Sequence, residues 1–65
     1  MKSLKKRVKE ELVRSPEGLT VRELYDKLQP QKAFSIETAL VALENTEEAV
    51  LGGFRENGAA IYRAK

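Results

Sequence analysis

The sequence predicts an α+β fold, with three helices followed by a C-terminal two-stranded β-hairpin, and three observations support this order. Thr20-Val21-Arg22-Glu23 has the pattern of a capping box at the start of a helix. Apolar residues recur at helical spacing in three segments that turn residues separate. Asn57-Gly58 lies between two short apolar stretches, which is a strong short-range signal for a hairpin. At 65 residues, the chain is expected to form one domain, residues 1–65.

The first helix is predicted to run from Ser3 to Arg14. Ser3 is suited to cap its N-terminus, and basic side chains occupy most of its surface. The turn at Ser15-Pro16-Glu17-Gly18 ends the helix, because the residue before a proline avoids the helical conformation. The residues of its apolar stripe recur every four positions: Leu4, Val8 and Leu12.

The second helix is predicted from Thr20 to Leu28 and has the best-defined start in the chain. In the capping box, the Thr20 hydroxyl and the Glu23 carboxylate each accept a hydrogen bond from a backbone N–H that the helix leaves unpaired. Leu19 and Leu24 occupy the two positions of a hydrophobic staple. A polar turn around Pro30 then ends the helix.

The third helix is predicted to begin with Ser35 as its N-cap and to continue to about Glu47. Phe34 and Ala39 occupy the staple positions at its start. Its core-facing stripe falls at helical spacing: Ile36, Leu40 and Leu43.

The C-terminal segment is predicted to form a hairpin. Its strands are Ala49 to Arg55 and Ala59 to Arg63, joined by a turn at Glu56-Asn57-Gly58. Period-two alternation turns Tyr62 toward the core. The pair Gly52-Gly53 is compatible with a β-bulge or with a flexible strand. An additional very short strand at Gly18-Leu19 would pair with this hairpin.

The composition argues against catalysis. The chain has no cysteine and no histidine, which removes disulfides, thiolate metal sites, the usual zinc ligand and the usual general base near neutral pH. The carboxylates and lysines that remain are spread along the surface without an evident pairing. We therefore expect no enzyme, no cofactor and no metal site.

The net charge of +2 is unevenly distributed. Residues 1–14 carry six basic and two acidic groups, whereas residues 33–51 carry four acidic groups and no basic one. Residues 15–32 are balanced, and residues 52–65 carry three basic groups and one acidic group.

The sequence contains no apolar run long enough to cross a membrane and no signal peptide, so a cytoplasmic location without membrane contact is expected.

The order helix, turn, helix, hairpin resembles the winged helix-turn-helix superfamily over nearly the whole chain. The similarity is closest in size and layout to the small bacterial fimbrial regulators of the PapI/FaeA-like kind. The segments that carry it are Leu19 to Leu24, Ser35 to Glu44, Val50, and a wing that ends in Ala60-Ile61-Tyr62-Arg63. The resemblance implies a DNA-binding protein, and most directly a small transcriptional regulator.

In this class the third helix enters the major groove and the wing contacts the backbone or the minor groove. For this sequence the resemblance implies that helix 3 (about 35–47) reads base edges and that the wing (about 52–63) binds beside it. Double-stranded DNA is then the expected partner. The candidate nucleic-acid-binding residues are Arg22, Lys32, Ser35, Glu37, Thr38, Arg55, Asn57, Arg63 and Lys65.

Several of these residues also have a purely structural interpretation. Ser35 serves as a helix cap, and Glu37 is favourable near the positive end of the helix dipole. Arg55 and Arg63 discourage strand addition at a sheet edge. With few basic groups on the binding side, a monomer should bind DNA weakly, so a homodimer or a protein partner is a further expectation, with Val41, Ala42 and Leu51 as candidate contacts.

The alternative is a protein-protein interaction module on the same fold, because the third helix is acidic and lacks the Arg or Lys that most often reads guanine. The position of the basic groups distinguishes the two hypotheses. Convergence of Lys32, Arg55 and Arg63 at the start of helix 3 favours DNA. Acidic groups at that place, with the basic groups elsewhere, favour a protein partner.

Overall fold

The computed structural model describes residues 3–32 and 34–65, and this part of the chain forms three helices and one three-stranded antiparallel sheet. The α+β prediction is therefore confirmed, and the C-terminal hairpin is compatible with a wing. The elements in chain order are α1 (Leu4–Arg14), β1 (Leu19–Thr20), α2 (Val21–Leu28), α3 (Ser35–Asn45), β2 (Ala49–Phe54) and β3 (Ala60–Ala64).

Strand β3 lies in the middle of the sheet, between β1 and β2. On one side Leu19 is opposite Tyr62, which confirms the short additional strand with a shift of one residue. On the other side Ala49 is opposite Ala64, and the pairing continues to the hairpin loop. A β-bulge interrupts this ladder at Gly52, so the first of the two interpretations of the glycine pair is the right one.

The core lies between the helices and one face of the sheet. Tyr62 is partly buried and packs against it, as predicted. The helical stripes supply the six largest fully buried side chains, so the predicted periodicity is confirmed: Val8, Leu12, Leu24, Ile36, Leu40 and Leu43.

The first two helices begin as predicted. Ser3 caps α1 by accepting a hydrogen bond from the Lys6 backbone N–H at 3.2 Å. In the capping box of α2, the Glu23 backbone N–H donates to the Thr20 hydroxyl at 3.1 Å. The Thr20 N–H donates in return to the Glu23 carboxylate at 2.8 Å. Two donors at the buried start of α2 are therefore satisfied reciprocally.

The predicted start of α3 is wrong by one residue. Phe34 is the N-cap and already has helical dihedral angles, so Ser35 is the first helical residue and no side-chain hydrogen bond caps the helix. A backbone hydrogen bond from Ser35 N–H to the Lys32 carbonyl, 3.1 Å long, sets this early turn. The predicted staple is also wrong, because Phe34 leaves 62% of its surface exposed and is absent from the core.

The helix α3 ends at Asn45, two residues before the predicted Glu47. Glu47 adopts a left-handed conformation with φ of 59°. Its backbone N–H donates to the Glu44 carbonyl at 3.0 Å, and the Glu48 N–H donates to the Leu43 carbonyl at 2.8 Å. These two bonds form a Schellman motif with glutamate in the position where glycine is usual.

Candidate binding surface

An apolar groove of about 790 Å³ opens where the start of α2, the start of α3 and the hairpin meet. We call it the front groove. Arg22 on α2 and Glu37 on α3 supply its two charged groups, so two of the predicted site residues meet here. Its lining consists of Thr20, Val21, Arg22, Tyr25, Phe34, Glu37, Ala59 and Ala60.

The bulge at Gly52 brings a second phenylalanine to the same face. Leu51 pairs with Tyr62 on the core-facing side of the sheet, and the extra residue shifts the alternation that follows. Phe54 is therefore opposite Ala60, and cross-strand partners direct their side chains to the same side. Phe54, which is 65% exposed, is therefore on the same side of the sheet as Ala60, which lines the front groove.

A neighbouring groove of about 650 Å³ runs between the start of α2 and the hairpin loop, and we call it the hairpin groove. It brings together Arg22, Arg55 and Asn57, three of the residues predicted to bind nucleic acid. The side-chain oxygen of Asn57 accepts a hydrogen bond from the Ala59 backbone N–H at 3.0 Å. Asn57 thus stabilises the loop and also faces this groove.

The two arginines of the hairpin groove already have carboxylate partners. The Arg55 guanidinium donates to both oxygens of Glu23, at 3.1 and 3.3 Å. Arg22 forms a looser pair with Asp26, 3.4 Å away on the next turn of α2, and both side chains are largely exposed. The hydrogen bond from the Thr20 backbone, followed by the bond from Arg55, lowers the pKa of Glu23 below its ordinary value. Glu23 is thus an acceptor for both the helix cap and the hairpin.

Ser35 and Thr38 lie on the other side of the α3 start. They line a pocket of about 360 Å³ against α1, together with Leu4 and Lys5. The Thr38 hydroxyl donates to the Phe34 carbonyl at 3.2 Å, within its own helix. These two residues do not line the front groove or the hairpin groove, so the predicted base-reading positions are divided between different surfaces.

Arg63 lies on the outer face of the sheet, away from the core. Its Nε donates to the Pro16 carbonyl at 3.1 Å. Its side chain extends close to two glycines, because a Cβ at Gly18 or at Gly52 would meet the aliphatic part of Arg63. Arg63 therefore links the turn after α1 to the sheet, whereas Arg55 pairs with Glu23 at the start of α2.

The remaining predicted cations are also separated. Lys65 pairs with Glu47 at 3.1 Å, at the end of α3. Lys32 lies over the ring of Phe34, 5.9 Å from its centroid, which is compatible with a weak cation–π contact. Among the contacts of residues 3–32 and 34–65, Lys32 contacts the start of α3, whereas Arg55 pairs with Glu23 and Arg63 with Pro16.

Basic side chains of α1 surround the carboxylate of Glu48, which lies just after the end of α3. Glu48 accepts a hydrogen bond from the Lys9 ammonium at 2.6 Å and has Lys5 at 3.6 Å. The hydrogen bonds from Lys9 and then from Thr46 lower the pKa of Glu48 to about 2. Two of the basic groups of α1 therefore serve an internal ion-pair network.

Sequence reasoning missed the exposed aromatic side chains. Tyr25 lies outside the buried stripe that Leu24 and Leu28 form on α2. This position relative to the helical period was the sequence signal that its ring is exposed. The sequence pattern places Phe34 in a staple position and Phe54 in a strand, and neither position indicates an exposed ring. Together with Val41, which is 55% exposed on α3, they give this side of the protein an apolar character.

No protein-family model matches this sequence, and the search of curated proteins also found no match.

The helices in residues 3–32 and 34–65 have at most 11 residues, whereas a bilayer-spanning helix needs about 20 apolar residues.

Proposed function

We propose that this protein is a winged-helix interaction module that binds another protein through the front groove and the adjoining face of α3. One observation carries this proposal. The exposed face of α3 presents Phe34, Glu37, Val41 and Glu44 beside the apolar groove, and residues 33–51 contain no basic group. Apolar surface surrounded by charge is typical of a protein-binding site.

The winged-helix part of the proposal is supported by the order of the elements and by the resemblance of the sequence to that superfamily. The hairpin follows α3 directly and packs in one sheet with β1. A fold of this class hosts different functions, so the surface and not the fold has to decide between them.

The chemistry of the surface defines the partner. Val21, Tyr25 and Ala60 form an apolar floor, and Phe34 lines the groove beside them. Apolar and aromatic side chains of this kind bind the apolar part of a ligand. Glu37 makes no hydrogen bond or ion pair with any described residue, so its carboxylate is available to a cation of the partner. The expected ligand is therefore a protein segment with an apolar anchor next to a lysine or arginine.

Selection of peptides displayed on phage against sparsely immobilised protein tests this proposal. Enriched peptides should carry an apolar anchor and a basic residue, and Phe34→Ala should weaken their binding at least about tenfold. Val13→Ala is the matched control, because Val13 is equally exposed but lies on α1. Equal binding of the selected peptides to the Phe34→Ala variant would overturn the proposal, and so would failure to enrich any peptide on a protein that shows no self-association.

DNA binding stays as a second candidate because Arg22, Arg55 and Asn57 line one groove next to the start of α2. Each arginine would have to exchange a carboxylate for a phosphate, so the affinity should be low. Fluorescence anisotropy with random duplex DNA at low and near-physiological salt tests it. A fall of affinity that is linear in log salt, and that Arg22→Ala with Arg55→Ala abolishes, would support this candidate. Absence of binding at low salt would eliminate it.

A further inference from the structure

We infer that the partner of the front groove is a second copy of this chain, packed across a two-fold axis. This inference rests on the proposed function and identifies its partner. In a two-fold interface the same patch faces itself, so each group must meet a complementary group from elsewhere in the same patch. The front groove meets this condition in both its charges and its apolar residues.

The front groove has one positive and one negative side chain, and they are on two different helices. Arg22 is on α2 and Glu37 is on α3, and both line the groove. A two-fold axis midway between the two charges places Arg22 of one copy against Glu37 of the other, and this contact occurs twice. Arg22 can leave its present partner easily, because its pair with Asp26 is long and 84% of the Arg22 side chain is exposed.

The apolar residues supply an anchor and a receiving surface in the same patch. Phe34 and Phe54 are each more than 60% exposed. Phe34 lines the groove, Phe54 is on the same side of the sheet as Ala60, and the floor consists of Val21, Tyr25 and Ala60. Aromatic anchors surrounded by smaller apolar residues are the usual source of interface affinity. Each copy can therefore place a phenylalanine on the floor of the other.

The size of the protein is adequate for such an interface. The molecule extends over 34 × 22 × 20 Å and has an accessible surface of 4548 Å². A stable interface buries about 800 Å² on each partner, which one broad face can supply. Since the start of α2 and the hairpin loop that border the groove are held by internal hydrogen bonds, these two segments need little ordering on association.

Sedimentation velocity of the whole chain between about 1 µM and 1 mM tests the inference with charge-reversal variants. We expect wild type to dimerise in the micromolar range. Arg22→Glu and Glu37→Arg should each weaken dimerisation at least about tenfold, because each creates two like-charge contacts. The double variant should recover wild-type dimerisation. A mixture of the two single variants should form a heterodimer, because both of its contacts then join opposite charges.

Both substitutions are at exposed positions, and circular dichroism would verify that every variant is folded. A wild type that is monomeric throughout the range would overturn the inference. It would also be overturned if the charge reversals left the dimerisation affinity unchanged, or if the mixture of single variants stayed monomeric. If peptides that depend on Phe34 are nevertheless selected, the proposed function survives and only its assignment to a second copy fails.

Discussion

The carboxylate of Glu23 joins the start of α2 to the hairpin, because it accepts one hydrogen bond from the Thr20 backbone and others from the Arg55 guanidinium. The same side chain thus completes a helix cap and fixes the position of the hairpin loop. The front groove and the hairpin groove both border this junction. The shape of the proposed binding surface therefore depends on a contact between residues 32 positions apart in the sequence.

The cap should contribute more to stability than the ion pair. Thr20→Ala is expected to lower the free energy of unfolding by about 1 kcal/mol, because it leaves a buried helix start without its acceptor. Arg55→Ala should lower it by less than about 0.5 kcal/mol, since the pair is exposed to solvent. Urea denaturation followed by circular dichroism measures both. Thr20→Ser is the control, and an Arg55→Ala loss equal to the Thr20→Ala loss would contradict this ranking.

Acid should destabilise the protein through Glu48. Its pKa in the folded protein is about 2, below the ordinary 4.5, so its stabilising contribution is complete above about pH 4.5. This contribution is lost as the pH falls from 4.5 toward 2. The lowered pKa of Glu23 adds to the loss in the same direction.

Replacement of the main hydrogen-bond donor should reduce this dependence. Lys9→Met is expected to raise the pKa of Glu48 toward its ordinary value, so the free energy of unfolding should fall less between pH 4.5 and pH 2. Lys6→Met is the matched control, because Lys6 is exposed and pairs with no carboxylate of the described residues. Urea titrations at a series of pH values would reveal the difference. Equal pH profiles for Lys9→Met and Lys6→Met would refute the proposed role of Lys9.

The left-handed residue at the end of α3 offers a stabilising substitution. Glu47→Gly should raise the free energy of unfolding by roughly 0.5–1 kcal/mol, because glycine adopts φ near 59° without the steric cost of a Cβ. The exposed pair with Lys65 that is lost contributes little. Glu44→Gly, inside the same helix, should instead lower stability by about 1 kcal/mol. A destabilised Glu47→Gly variant would show that the Schellman motif is not formed.

Two glycines under Arg63 should tolerate alanine to different degrees. A Cβ at Gly18 would meet Ile61 and the Tyr62 carbonyl at a φ of 95°, so Gly18→Ala should cost at least about 2 kcal/mol. Gly52→Ala should cost less, because only the flexible part of Arg63 has to move. Gly58→Ala measures the cost of the backbone conformation alone. Gly58 has φ of 88°, and no heavy atom lies within 4 Å of the position that its Cβ would take. Thermal unfolding would rank the three, and a Gly18→Ala variant as stable as Gly58→Ala would contradict the packing described here.

The features that sequence reasoning predicted depend on local patterns. The capping box, the apolar stripes and the hairpin turn each follow from residues within a few positions of one another. The start of α3 was misplaced because Phe34 enters the helical conformation before the serine that resembles a cap. Local rules do not determine which of two adjacent residues begins a helix.

The candidate site was harder to predict because it depends on long-range contacts. Arg63 is held by Pro16, and Lys65 by Glu47, and neither pairing can be inferred from spacing in the sequence. Phe54 is on the same side of the sheet as Ala60 of the front groove only because the bulge at Gly52 shifts the alternation by one residue. The glycine pair was compatible with a bulge or with a flexible strand, and the position of the bulge decides on which side of the sheet the phenylalanine lies.

The proposal that the front face binds protein is tested most directly by ¹⁵N–¹H spectra recorded while the tightest selected peptide is added. The amide signals of Val21, Tyr25, Glu37 and Ala60 should shift and saturate, whereas those of Val13 and Val50 should stay in place. Phe34→Ala should abolish the shifts at the same peptide concentration. Shifts confined to α1 or to the outer face of the sheet, or unchanged shifts in the Phe34→Ala variant, would contradict the central claim.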